Sequence, residues 1–120
     1  MTPHFRVPIL NDQWGVRVAW GDVPTLNAAL KKWGYGDEPL DADFWDARHG
    51  GCVNAPHHEP VICLPAPPSL DPVQLGTVTH EAFHAVNHIL RTIEVESADE
   101  EILAHSIGAV VRTFAKKAKQ

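Results

Sequence analysis

The stretch that decides the fold is residues 71–93, DPVQLGTVTHEAFHAVNHILRTI. Asp71 is a good N-cap, and Pro72 suits a first helical turn because proline has no backbone N–H to leave unsatisfied. Apolar residues then recur at spacings of three and four, as on the buried face of an amphipathic helix. We therefore predict a helix over 71–93 whose buried face comprises Val73, Val78, Ala82, Ala85, Val86, Ile89 and Leu90.

A second helix is predicted over 97–117. Ser97 and Glu100 form a capping box, in which each side chain bonds the other residue's backbone N–H. The connection to the preceding helix is short, so the two helices should form an antiparallel pair. Its expected core face comprises Ile102, Leu103, Ile107, Val110, Val111 and Phe114.

The first half of the chain supplies a small sheet. Residues 4–20 read as a β-hairpin that turns at 11–13, and residues 24–33 as a short helix ending at Gly34. The segment 34–60 is irregular, with a short strand through 51–54. Val61–Leu64 is a better strand, and the prolines on both sides of it favour a sheet edge.

These elements predict one α+β domain over residues 1–120. A small twisted sheet of three or four strands would pack on the antiparallel helix pair, with helix 24–33 as a further layer. The size agrees, because 120 residues with 44% hydrophobic and 21% charged side chains suit a single globular core.

Charge and composition disfavour some classes of function. Ten Lys and Arg against fifteen Asp and Glu give a net charge of −5, which disfavours nucleic-acid binding. No apolar run approaches the ~20 residues of a membrane span. Cys52 and Cys63 are expected to be reduced thiols in a cytoplasmic protein, although a single disulfide between them stays open.

The predicted helix 71–93 carries His80-Glu81-Ala82-Phe83-His84, which has the pattern His-Glu-x-x-His. Residues four apart lie one above the other on a helix, so both imidazoles can reach one Zn²⁺. Glu81 projects from nearly the same side and can take a proton from a zinc-bound water. The alternative is that these are polar residues on a helix surface.

A zinc site of this kind needs a third protein ligand. His88 lies eight residues after His80, roughly 12 Å along a straight helix, so it is too far away. Glu101 is the better candidate, because Glu100 is already assigned to the capping box. We expect the Glu101 face of the second helix, which also includes Ala104, His105, Gly108 and Val111, to lie against the histidine helix. The alternative is a solvated carboxylate favoured by the helix dipole.

Together, His80–His84 and the downstream Glu101-Ile102-Leu103-Ala104 resemble the gluzincin branch of the zinc metallopeptidases, and small phage and prophage-encoded metallopeptidases in particular. The resemblance implies a zincin-like fold, one Zn²⁺ bound by His80, His84 and Glu101, and Glu81 as the catalytic base. Members commonly carry Asp where this chain has His105, which departs from the usual supporting carboxylate.

The resemblance also implies a peptide or protein substrate that would pair with an edge strand at Val61–Leu64. Two functions stay open: a zinc peptidase that hydrolyses peptide bonds through a zinc-bound water, and a non-catalytic binding or regulatory module on the same scaffold. The donor that stabilises the oxyanion is also open, and the candidates are Tyr35, His57, His58, His88 and His105.

Overall fold

A computed structural model describes residues 3–93 and 100–120. The elements within those ranges are β1 (His4–Ile9), β2 (Trp14–Trp20), α1 (Val23–Lys32), a 3₁₀ turn (Phe44–Ala47), β3 (Gly51–Val53), β4 (Val61–Leu64), α2 (Pro72–Thr92) and α3 (Glu100–Ala118). The predicted α+β class is confirmed: four strands form one mixed sheet, and three helices pack on it.

The predicted hairpin is present. Strands β1 and β2 pair antiparallel, with His4 opposite Ala19 and Ile9 opposite Trp14. Leu10, Asn11 and Asp12 turn the chain with φ values of 54°, 55° and 68°. Asn and Asp tolerate this left-handed conformation better than most residues, which explains why the turn lies here.

The prediction that Val61–Leu64 is an edge strand is wrong. The strand order is β1-β2-β4-β3, so β4 lies inside the sheet, parallel to β2 and antiparallel to β3. Pro60 and Pro65 flank the paired residues, and the Pro60 carbonyl still accepts a hydrogen bond from the Arg17 N–H at 3.0 Å. Four consecutive buried side chains are typical of a strand covered on both faces. The edge strands are β1 and β3.

The sheet separates two apolar cores. One lies between the sheet and the helices α2 and α3, where Val18, Ile62, Val86 and Phe114 are buried. The other lies on the opposite face, where Leu26 and Leu30 of α1 cover Val61 and Cys63. The predicted further layer is therefore confirmed. Helix α1 begins one residue early, because the Asp22 carboxylate accepts the Thr25 N–H at 2.8 Å and caps it.

Helix α2 begins as predicted, because the Asp71 carboxylate accepts the N–H groups of Val73 and Gln74. Its buried face also matches the prediction, except that Val73 is 57% exposed. Since α2 contacts β3 and β4 as well as α3, its middle turns lie beside the edge of the sheet.

Helix α3 packs on α2 and β1 through its apolar face, where Ser106, Val110 and Phe114 are buried. The prediction that the Glu101 face lies against α2 is wrong for its first turns, because Glu101, Ala104 and His105 are exposed. Burial of the larger apolar side chains on the adjacent face orients the helix instead. The Ser97 end of the predicted capping box lies outside the described residues.

Both cysteines are free thiols, Cys63 buried and Cys52 partly buried. They are not cross-strand partners, because Gly51 lies opposite Cys63 and Cys52 opposite Ile62. Within the described ranges, no helix has the length and apolar character needed to cross a bilayer. The cytoplasmic location stays an expectation.

Candidate metal centre

Two imidazoles lie one helical turn apart on the outer side of α2. The Nε2 atoms of His80 and His84 are 3.2 Å apart, and the ring centroids are 4.8 Å apart with the planes 78° to each other. Both side chains are exposed, so solvent or a ligand reaches their nitrogens directly. The predicted spacing on one helix face therefore brings two imidazole nitrogens close together.

Glu81 points from the same helix toward the protein. Its residue is only 7% exposed, and its Oε1 lies 3.9 Å from the Nε2 of His80. One donor atom from each of His80, Glu81 and His84 lies within 4.8 Å of the other two, and these three form the candidate metal group among the described residues. Imidazole nitrogens and carboxylate oxygens are donors that divalent metal ions accept, zinc among them, so the group could hold a metal ion.

The rest of α2 explains why these polar side chains are held in place. Val78, Ala82, Ala85 and Val86 surround the group in sequence and are completely buried in the core. The helix cannot rotate without exposing them, which would cost roughly 25 cal/mol for each Å² of apolar surface. The histidines are therefore fixed outward.

A cleft of about 820 Å³ opens beside His80 and Glu81. It lies between the first half of α2, strand β3 and the segment 39–50. A smaller cavity of about 240 Å³ lies toward the other end of α2 and is lined by His84 and His88. Glu81 and Cys52 line both, so the buried carboxylate stands where the two spaces meet.

Cys52 is the side chain of β3 that faces this junction. Burial raises the pKa of its thiol, and the negative charge of Glu81 raises that pKa further. The thiol therefore stays protonated at neutral pH, and its Sγ donates to Asn54 Oδ1 at 3.4 Å. Cys52 thus presents a neutral surface next to Glu81 rather than a thiolate.

Two glycines allow β3 to approach the helix. A side chain at Gly50 would collide with Thr77 of α2 and come within 3.2 Å of the Cys63 carbonyl oxygen. A side chain at Gly51 would collide with the ring of Phe44. The absence of Cβ atoms here therefore keeps the cleft narrow between the strand, the helix and the 3₁₀ turn.

Glu101, the predicted third ligand, is not part of the group. It is exposed in the first turn of α3, where a carboxylate is stabilised by solvent and by the helix dipole. Glu100 lies at the preceding position and is also exposed. The structure thus brings together His80, Glu81 and His84 but not Glu101, and the assignment of Glu101 as a ligand stays a prediction.

His88 has a positional role instead of a ligand role. Its Nε2 lies 3.2 Å from the carbonyl oxygen of Ala55, so it joins α2 to the loop that follows β3. This agrees with the prediction that His88 is too far along the helix to share a metal with His80. It also lines the smaller cavity with Glu81 and His84, which keeps it a candidate for the oxyanion donor.

The other oxyanion candidates do not line either space next to Glu81. Tyr35 and His58 stack on each other with centroids 5.2 Å apart, and Tyr35 packs against the core on the α1 side, where burial raises its pKa to about 12. His57 is exposed in the loop, and His105 is exposed on α3.

Sequence reasoning missed three side chains that line the large cleft, namely Asp41, Arg48 and His49. They precede His80 by more than thirty residues and reach the site only because β3 occupies the sheet edge. No local pattern could have placed them next to Glu81, since the pairing of β3 with β4 is a long-range contact.

Comparison with protein-family models, with curated proteins and with solved structures finds no match to this chain. The functional interpretation therefore depends on the geometry of this centre and on its chemistry.

Proposed function

We propose that the chain is a zinc-dependent metallopeptidase. His80 and His84 would hold one Zn²⁺, Glu81 is the general base, and Glu101 remains the predicted third ligand, which α3 would have to bring to the group from its exposed position. The observation that carries the proposal is the group itself: two exposed imidazoles with Nε2 atoms 3.2 Å apart, next to a buried carboxylate at the junction of two cavities.

The zinc ion, when bound, supplies Lewis acidity to a water molecule and to the substrate carbonyl. Glu81 would take the proton that an attacking water loses and deliver it to the amine nitrogen as the C–N bond breaks. Because Glu81 adjoins His80 in sequence but points inward, it can act on the water without occupying a ligand position. Of the predicted oxyanion donors, His88 is the one that lines the smaller cavity together with Glu81.

A peptide substrate is supported by the edge strand beside the site. Strand β3 pairs with β4 on one side, and its Cys52 lines both spaces at Glu81. An extended peptide that pairs with the outer edge of β3 would run past Glu81. We therefore place the substrate on Gly51–Val53 and not on Val61–Leu64.

Metal removal tests this function directly. The zinc-loaded protein should cleave members of an unbiased peptide library, the chelator-treated protein should cleave none, and added zinc should restore cleavage. The products can be identified by mass spectrometry. Cleavage that survives complete removal of the metal, or a library left intact by the zinc-loaded protein, would contradict the proposal.

The exposed position of Glu101 favours a second candidate, a binding or regulatory module in which the group holds a metal weakly or not at all. Glu101→Gln and its neighbour Glu100→Gln distinguish the two. If Glu101 is a ligand, Glu101→Gln should weaken zinc affinity by more than about tenfold. Loss of a residue that only supports a ligand already costs about tenfold or more, and loss of a ligand should cost more.

Glu100→Gln is the matched control, because it removes the same charge one residue away. Competition with a chromogenic chelator measures both affinities. Equal, small effects of the two substitutions would remove Glu101 from the ligand set and favour the binding module.

A further inference from the structure

The large cleft contains a positioned cation that the proposed hydrolytic chemistry does not use. Arg48 follows the 3₁₀ turn, and its Cζ lies 4.6 Å from the centroid of the Phe44 ring. The Phe44 ring is held in turn by Trp45, at a centroid distance of 4.7 Å, and by Gly51, whose missing side chain leaves room for it. A guanidinium stacked on a supported aromatic ring keeps its N–H edges available for a planar acceptor.

Within the described part of the chain, Arg48 is one of the stacked cations that lack a carboxylate partner, as is Arg17 on Trp33, but Arg48 is the one that lines this cleft. Arg6 forms a two-bond contact with Glu59, and Lys31 pairs with Asp37. Over residues 3–93 and 100–120, Arg48 has no carboxylate within 4.0 Å. Its side chain is therefore stacked in place without a charge partner.

Among the described residues, the cleft lining contains one arginine and two carboxylates, those of Asp41 and Glu81. The other ionisable side chains that line this cleft, among the residues described, are Asp41, His49, Cys52, His80 and Glu81. Arg48 is thus the side chain of this lining whose positive charge does not depend on pH, because a guanidinium is not deprotonated in proteins.

We infer that Arg48 is a specificity-determining residue that binds a carboxylate of the substrate inside this cleft. The inference rests on the proposed function in that it calls the ligand a substrate, but the ion pair with Arg48 forms without hydrolysis. The carboxylate can belong to an acidic side chain or to the C-terminus of the peptide, and both present the same planar pair of oxygens to the guanidinium.

The test uses four synthetic peptides of one apolar sequence, with either Gln or Glu at one internal position and either an amide or a free carboxylate at the C-terminus. Their affinities are measured by fluorescence anisotropy on the zinc-loaded Glu81→Gln protein, in which peptide is bound but not consumed. At least one carboxylate peptide should bind about fivefold tighter than the neutral peptide, as a partly exposed ion pair permits. The peptide whose affinity increases identifies the source of the carboxylate.

Adding Arg48→Gln should remove this preference, Arg48→Lys should retain part of it, and the exposed Arg112→Gln on α3 should leave it unchanged. Melting temperatures of the Arg48 and Arg112 variants check that each is folded. Equal binding of all four peptides, no measurable binding, or a preference that survives Arg48→Gln would overturn the inference. If the preference depends on Arg48 but the protein with Glu81 intact cleaves no peptide, only the proposed peptidase activity is refuted.

Discussion

Glu81→Gln should lower kcat for peptide hydrolysis by about 10²–10⁴-fold, the usual contribution of a general acid–base group. Glutamine has nearly the same shape as glutamate but cannot accept the proton of the attacking water. It also leaves both imidazoles in place, so the zinc content of the purified protein should not change. Steady-state hydrolysis of a peptide from the library, with zinc measured on the same sample, checks both parts.

The burial of Glu81 makes a folding control necessary. At 7% exposure its carboxylate contacts the interior, so a change in thermal stability must be separated from a change in chemistry. A melting temperature close to that of the parent protein, with hydrolysis lost, would support the role of general base. Full activity in a folded Glu81→Gln protein would show that another group takes the proton.

His80→Ala and His84→Ala should each abolish zinc retention and hydrolysis together. Each removes one of the two nitrogen donors, and the remaining group cannot satisfy a tetrahedral ion. The His80 side chain is 71% exposed, so the substitution should leave stability within about 0.5 kcal/mol of the parent. Atomic emission after gel filtration measures the zinc that remains bound.

His105→Ala is the control for these two variants, because His105 is also exposed and lies on α3, away from the group. It should retain zinc at the parent level. If His80→Ala and His84→Ala also retained zinc, the metal would be bound elsewhere and the centre described here would have no role in binding it.

The elements with local signals were predictable from the sequence. Asp71 and the Asn11-Asp12 turn fix where α2 begins and where the hairpin turns, and each acts through its own neighbours, whereas the Asp22 cap of α1 was missed. The order of the strands was not predictable in the same way. Pro60 and Pro65 favoured the prediction of an edge strand, because proline cannot donate a ladder hydrogen bond. The unbroken apolar run Val61–Leu64 is instead the signal for an interior strand.

The candidate site likewise has one part that the sequence predicts and one part that it does not. His80, Glu81 and His84 share one helix, so their spacing alone predicts that they come together. The proposed third ligand depends on how α3 rotates against α2, which burial of Val110 and Phe114 decides rather than a pattern around Glu101. Arg48 and His49 depend on the pairing of β3, and no neighbouring residue in the sequence reports that pairing.

Zinc K-edge X-ray absorption on the purified protein tests the central claim most directly, because it reports the metal and its donor atoms together. We predict about one zinc per chain in a shell of nitrogen and oxygen at about 2.0–2.2 Å, with the multiple-scattering pattern of two imidazoles. Cys52 lies close enough to the junction to be the obvious competing donor, and a sulfur ligand would appear at about 2.3 Å. A sulfur-containing shell, a single imidazole, or protein that binds no zinc would contradict the account.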